Sequence, residues 1–96
     1  MIEGMPLSGW RLRRDNLAVS TVGDERVLLD LSGSVYYSTT GSGSLLLDQL
    51  LVGASENELV DSLLAGFDVE EGTAHEDVLA FLADLSRLSL IERHAG

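Results

Sequence analysis

The chain contains no cysteine, a single proline and few aromatic side chains, which make up 5% of its 96 residues. The missing thiols exclude a disulfide framework and any thiolate metal site. No apolar run approaches the roughly 18 residues that a membrane helix needs, and the opening MIEGMPLSGW has no basic region before an apolar block. We therefore expect neither a membrane span nor a secretory signal, and a cytoplasmic location by default.

Basic residues are also scarce, with 6 against 16 acidic residues and a formal net charge of −10. Such a charge is repelled by phosphate backbones and by anionic membrane surfaces, so neither nucleic acid nor membrane is an expected partner. Half of the basic residues, Arg11, Arg13 and Arg14, stand beside Trp10. This pattern is typical of a solvated N-terminal segment, and we assign it no function.

The first structural elements that the sequence indicates are three short runs rich in β-forming residues. They read LAVSTV from residue 17, RVLLDL from residue 26 and VYYS from residue 35, with Gly and Asp or Ser and Gly between them. Apolar residues alternate along the second run, which is the period of a partly buried strand. The pattern predicts a three-stranded antiparallel meander, one face of which must be covered.

The last strand of this meander carries the candidate site. In the simplest arrangement it is an edge strand, with N–H and C=O groups free to pair with an incoming peptide. Tyr36 and Tyr37 are adjacent on it and point to opposite faces of the sheet, so only one of them can enter the core. The other must lie at a surface or in a groove.

Three helices are predicted after the strands. The first begins at Ser44 and ends at Gly53, and the small residues before it form the turn from sheet to helix. The second begins with a capping box between Ser55 and Glu58 and ends at Gly66. Three strands followed by three helices make an α+β fold without the alternation that a parallel sheet requires.

The third predicted helix is the longest and begins between residues 69 and 73. Thr73 and Glu76 form a second possible capping box at its start. Its apolar stripe contains Val78, Phe81, Leu82, Leu85 and Leu88.

Catalytic groups are scarce. His75 and His94 are the only histidines, they lack metal-ligand spacing, and both are expected to be solvated. The glycine-rich stretch from 38 to 43 lacks the lysine of a phosphate loop and the GxGxxG spacing. The sequence thus predicts a binding module and not an enzyme, with no cofactor and no metal.

The order of these segments resembles the PqqD-like peptide-binding domains, also called RiPP recognition elements, of ribosomal peptide natural product pathways. The resemblance is carried by VLLDLSGSVYY, GSLLLDQLL, a long segment that begins SENELVDSLLAGFDV and continues through EDVLAFLADL, and a terminal LSLI. It departs from the family pattern at Thr39 and Thr40, at Leu47, where an aromatic is common, and at Ser89, which replaces a glycine. We expect residues 1–16 to lead into the domain, residues 17–92 to form it and residues 93–96 to be a tail.

The resemblance implies a winged-helix-like module that binds the leader part of a precursor peptide as an added strand. The leader would lie in the groove between the third strand and the third helix. The opposite flank of that helix, with Leu79, is the alternative wall, and acidic residues beside the groove would suit a leader with Lys or Arg. The implied leader-binding residues are Val35, Tyr36, Tyr37, Asp77, Phe81 and Asp84.

The partners implied by the resemblance are the precursor leader and a maturation enzyme. Free-standing modules of this size are most similar to those of lasso peptide pathways, which have a separate leader peptidase and a cyclase, and the alternative is a chaperone for a radical SAM or other maturase. A structural or homo-oligomeric adaptor would use the same edge to pair with its own copy. A winged-helix DNA-binding protein is disfavoured, because residues 73–85 contain no Lys or Arg.

Overall fold

A computed structural model of the chain describes residues 9–33 and 35–94. Half of the predicted N-terminal lead-in, residues 1–8, and the last two residues of the predicted tail lie outside the described residues. The strands are β1 (Gly9–Leu12), β2 (Leu17–Val22), β3 (Glu25–Asp30), β4 (Tyr36–Thr39), β5 (Ala54–Ser55) and β6 (Ile91–His94), and the helices are α1 (Ser42–Val52), α2 (Glu56–Gly66) and α3 (Glu71–Arg87).

The predicted meander is confirmed as an antiparallel sheet with the strand order β2-β3-β4, so β4 is one of its edges. Leu28 of β3 lies opposite Tyr37 of β4, and Leu29 lies opposite Tyr36. Leu28 is fully buried, whereas Leu29 is 42% exposed. Residues that lie opposite each other point to the same face, so the sheet has an inner face with Leu28 and Tyr37 and an outer face with Leu29 and Tyr36.

The helices cover the inner face. The guanidinium of Arg26 on β3 donates to both carboxylate oxygens of Asp48 on α1, at 2.9 and 3.0 Å. This two-pronged pair joins the sheet to α1, and Leu46, Leu47 and Leu50 of α1 belong to the same core cluster as Leu28. The predicted α+β, winged-helix-like architecture is confirmed.

The helix ends follow local capping chemistry. The predicted capping box of α2 is present: the N–H of Glu58 donates to Ser55 Oγ at 3.1 Å, and the N–H of Ser55 donates to Glu58 Oε1 at 2.8 Å. The second predicted box is wrong, because α3 begins at Glu71 and Thr73 therefore lies inside the helix. Each helix in the described part of the chain is too short or too polar to cross a membrane.

A second sheet with the strand order β5-β1-β6 is not predicted by the sequence pattern. Trp10 of β1 lies opposite Arg93 of β6, and the Arg93 guanidinium stands 4.5 Å from the centre of the indole ring. The described part of the predicted lead-in and the start of the predicted tail therefore pair with each other. The domain boundaries themselves stay a prediction.

Candidate functional site

The free edge of β4 is set by its hydrogen-bond register with β3. The N–H of Asp30 donates to the carbonyl of Val35 at 3.0 Å. In an antiparallel pair the bonded residues recur every second position, so Tyr37 and Thr39 also turn their backbone groups toward β3. Tyr36 and Ser38 therefore turn their N–H and C=O groups away from the sheet. These are the groups with which an added strand would pair.

The aromatic wall of the site joins β4 to α3. The rings of Tyr37 and Phe81 meet edge to face, with 6.4 Å between their centroids and an interplanar angle of 64°. Both residues are half-buried and pack against the core. Helix α3 thus stands beside the edge strand at this ring contact. The predicted groove is the surface between these two elements, with the two rings at its base, and its role in binding stays a prediction.

One stripe of α3 lies along this groove. Asp77, Phe81 and Asp84 follow one another at spacings of four and three residues, which places them on one helix face, and Leu88 caps the helix just beyond them. Asp77 and Asp84 are exposed, while Phe81 and Leu88 are half-buried. Leu79 lies about 160° around the helix from Phe81 and so faces elsewhere. The structure brings Phe81 and Asp84 of this flank to Tyr37, and Asp77 lies on the same helix face. The role of all three in binding stays a prediction.

The two tyrosines have different places in the site. Tyr37 points into the groove, whereas Tyr36 is 65% exposed on the outer face of the sheet. Val35 is half-buried against the core. Of the implied strand residues, Tyr37 therefore supplies an aromatic surface and Tyr36 supplies backbone groups to the edge. Because side chains alternate along a strand, the sequence predicts that the two tyrosines face opposite sides of the sheet. Only the packing of α3 shows which of them faces the groove.

The negative charge of Asp84 acts on Tyr37 and is partly compensated by an arginine. Burial raises the pKa of the Tyr37 hydroxyl above its ordinary value, and the nearby negative charge of Asp84 raises it further. Tyr37 therefore keeps its proton at neutral pH and can donate a hydrogen bond. Arg87, one turn beyond Asp84, donates to its carboxylate at 3.0 Å. The sequence pattern gave no reason to include this arginine.

Arg13 holds one end of the groove together. Its guanidinium donates to Asp30 Oδ1 at 2.9 Å and to the carbonyl of Ser89, just beyond α3, at 2.7 Å. The side chain and the backbone N–H of Ser32 also donate to the Asp30 carboxylate, which lies at the start of the turn into β4. These bonds from Ser32, together with Arg13, hold the pKa of Asp30 below its ordinary value. A residue to which the sequence assigns no function thus connects β3 to the segment that follows α3.

The turn after β4 holds the other end. The hydroxyl of Ser44 donates to the carbonyl of Thr39 at 3.1 Å, and the N–H of Gly41 donates to Asp24 Oδ2 at 2.8 Å. A Cβ at Gly43 would collide with the Thr39 side chain, which would have to shift to admit a larger residue there. The small residues of this stretch are explained by the tight turn from sheet to helix, as predicted.

The described residues show little that could hold a metal. They contain no group of three or more His, Cys, Asp or Glu side chains with suitable geometry. His75 is exposed, as predicted, whereas His94 is half-buried with its ring close to Gly53 and is therefore only partly solvated. A depression of about 700 Å³ between α2 and α3, lined in part by Asp61, Glu71 and His75, is separate from the β4 edge.

Comparison with known proteins gives one family and two similar structures. The family model described as coenzyme PQQ synthesis protein D (PqqD) matches residues 25–91. The structure of TbiB1 in complex with the TbiA(beta) leader peptide is 29% identical, with a TM-score of 0.79 over 90% of this chain and 99% of that chain. A lasso peptide synthetase B1 complexed with the leader peptide is 25% identical, with a TM-score of 0.76 over 86% and 96%. No curated protein sequence matches the chain.

Proposed function

The chain belongs to the PqqD family, and from this premise we propose that it is a non-catalytic recognition module for the leader segment of a ribosomally made precursor peptide. The module presents the bound precursor to modifying enzymes, of which a lasso peptide leader peptidase and cyclase are the favoured pair. The observation that carries the proposal is the free edge of β4 beside α3. The two similar structures, both complexes with a leader peptide, support it.

The leader adds to the sheet as a strand next to β4. Tyr36 and Ser38 offer two N–H and two C=O groups, so the backbone supplies at most a few hydrogen bonds. Each such bond contributes roughly 0.5–1.5 kcal/mol net, which is small against the cost of ordering a flexible peptide. Most of the affinity must therefore come from side chains that enter the groove.

The ring pair at the base of the groove is where these side chains bind. A strand beside β4 turns every second side chain toward the inner face, where Tyr37 and Phe81 present a half-buried aromatic surface. An apolar leader residue at this position removes both rings from water. A slip of one residue would turn that side chain to the outer face, so the rings also select the register of the leader.

The acidic stripe of α3 favours a leader with a basic residue. Asp77 and Asp84 flank Phe81 along the helix and are both exposed. A leader Lys or Arg that reaches Asp84 must compete with Arg87, which occupies its carboxylate. The exchange of one exposed ion pair for another changes the free energy little, so these charges contribute to register and orientation more than to affinity.

The other classes of function find less support in the described residues. A winged-helix DNA-binding protein needs basic side chains on its recognition helix, but the one arginine of α3, Arg87, lies in the last turn and is paired with Asp84. A homo-oligomeric adaptor would use the β4 edge for self-pairing, which is a distinct outcome of the binding experiment.

The test is a titration of the protein with a synthetic leader from the precursor of the same pathway, followed by calorimetry or fluorescence anisotropy. We expect saturable, sub-micromolar binding that tolerates moderate salt. Two further peptides carry a single backbone N-methyl group at adjacent positions. Since only alternate leader amides face β4, one of the two peptides should bind markedly more weakly than the other. No binding by the folded protein, or equal loss with both peptides, would refute strand addition at this edge.

A further inference from the structure

The β2-β3-β4 sheet has a second edge, β2, on the side away from the proposed leader groove. Just before β2, the N–H of Leu31 donates to the carbonyl of Asn16 at 2.8 Å. Bonded residues recur every second position, so the even-numbered residues of β2 turn their backbone groups toward β3. The odd-numbered residues, whose N–H and C=O groups point away from the sheet, are Leu17, Val19 and Thr21. Within residues 9–33 and 35–94, no strand pairs with this side of β2.

Strand β2 lacks the features that ordinarily keep an edge strand from pairing. Its sequence, LAVSTV, contains no charged residue and no proline, although 23% of the residues in the chain are charged. All six residues pair with β3 in an unbroken register, so no bulge bends the strand away. Val19 and Val22 are 38% and 66% exposed, and Ser20 and Thr21 are exposed as well. A regular, uncharged edge rich in β-branched residues favours the addition of another strand.

A second copy of β2 fits this edge, because the strand is complementary to itself. Two copies related by a two-fold axis would lie antiparallel, and the register that uses the whole edge places Val19 opposite its own copy and Leu17 opposite Thr21. Each of the three residue pairs exchanges two backbone hydrogen bonds, which gives six in all. The net charge of −10 opposes contact between two copies, but the paired strands themselves contain no charged side chain.

The ends of the paired strands carry charges of both signs. The same register brings the segment before β2 in one copy, with Arg14 and Asp15, toward the turn after β2 in the other, with Asp24 and Glu25. The carboxylates outnumber the arginine at each end, so association should strengthen as added salt screens them. One strand from each copy makes a small interface, so we expect a transient dimer and not an obligate one.

We propose that the chain forms a homodimer through β2, in which the two sheets join into one six-stranded sheet with the order β4-β3-β2-β2-β3-β4. The two β4 strands are then the outer edges of this sheet, so each copy keeps its proposed leader-binding edge open. Self-pairing through β4 would instead occupy the edge that the leader needs. The leader therefore competes with association through β4 and does not compete with association through β2.

Analytical ultracentrifugation of the wild type and three variants between about 5 and about 500 µM tests the proposal. Val19→Lys and Val19→Glu each place like charges opposite each other at the two-fold axis, and we expect either change to raise the dissociation constant of the dimer about tenfold or more. An equimolar mixture of these two variants should associate again, because the register brings the opposite charges together. Val52→Lys is the matched control, since Val52 is 77% exposed at the end of α1, and it should behave as the wild type does.

The other outcomes overturn the proposal or separate it from the proposed function. A wild type that stays monomeric over the whole range overturns the dimer, and so does an equal effect of Val19→Lys and Val52→Lys. A Val19→Lys and Val19→Glu mixture that stays monomeric, although circular dichroism shows both variants to be folded, contradicts the register. A leader that dissociates the dimer would assign the contact to β4 and overturn pairing through β2. If the leader does not bind but the dimer responds to the Val19 variants as expected, only the proposed function fails.

Discussion

Arg13 and Asp30 form an ion pair of 2.9 Å that joins the end of β1 to the end of β3. The same guanidinium donates to the carbonyl of Ser89, just beyond α3. One side chain therefore connects β3, the neighbour of β4 in the sheet, to the segment that follows α3. We expect the spacing between β4 and α3 at this end to depend on Arg13.

Replacement of Arg13 should affect both stability and binding. Arg13→Gln loses the ion pair and most of the guanidinium's hydrogen bonds. Among the described residues, the buried Asp30 carboxylate is then left with Ser32 as its one side-chain donor. We expect a lower midpoint of thermal unfolding and weaker leader binding. Arg14→Gln, at an exposed neighbour, is the control and should change neither quantity. Equal behaviour of the two variants would mean that Arg13 does not position the walls.

The same pair predicts a dependence of stability on pH. The pKa of Asp30 is held below its ordinary value of 3.8 by Ser32 and Arg13. A carboxylate whose pKa is lower in the folded state stabilises that state above the unfolded value, and this contribution is lost as the pH falls from 3.8 through the folded value. Chemical denaturation between pH 2 and 7 should show a steeper acid limb for the wild type than for Asp30→Asn. Parallel curves would contradict the assignment.

Tyr37 and Tyr36 should differ sharply as leader-binding residues. Tyr37→Ala removes half of the aromatic base, and we expect it to weaken leader binding by about 1–3 kcal/mol. Tyr37→Phe keeps the ring and its contact with Phe81, so it should retain most of the affinity. Tyr36→Ala keeps the backbone edge and should bind the leader as the wild type does. Calorimetric titration of all three variants with the leader measures the difference, and circular dichroism verifies that each variant is folded. A larger loss of leader affinity for Tyr36→Ala than for Tyr37→Ala would place the groove on the other face of the sheet.

The charges of α3 should act in opposite directions. Asp77→Lys and Asp84→Lys should weaken binding of a basic leader and alter its salt dependence, because they place like charge beside it. Arg87→Ala should strengthen binding of the same leader several-fold, since it frees the Asp84 carboxylate from its 3.0 Å partner. Anisotropy titrations at low and moderate salt provide the measurement. Unchanged affinity and salt dependence in the Asp variants would remove the acidic stripe from the site.

Gly43 should not tolerate a side chain. Gly43→Ala would bring a methyl group against the Thr39 side chain at the end of β4, and we expect the variant to be destabilised. Thr39→Ala removes the nearest atoms, so the double variant should recover part of the lost free energy of unfolding in a double-mutant cycle. If the two substitutions changed the free energy of unfolding additively in urea denaturation, the contact between residues 43 and 39 would not be the cause of the destabilisation.

Periodicity predicts the elements that bury a regular stripe. Strands β2 to β4 and the three helices have repeating apolar positions, and α2 has its capping box, so their order and the edge position of β4 could be inferred from the sequence. The short strands β1 and β6 carry arginines, and their pairing joins residues far apart in the chain. Such contacts leave no local pattern. The role of Arg13 was missed for the same reason, because its partners lie 17 and 76 residues away.

Strand β4 is only four residues long, from Tyr36 to Thr39, and just two of its residues face the open edge. A module of this kind can pair with only a short segment of a peptide. The residues on either side of that segment are not recognised by the strand edge. The rest of a precursor is then free to diversify in sequence while the segment stays recognisable. The recognised segment should therefore be transferable. When it is fused to an unrelated peptide at the right distance from the scissile bond, it should direct that peptide to the same enzymes.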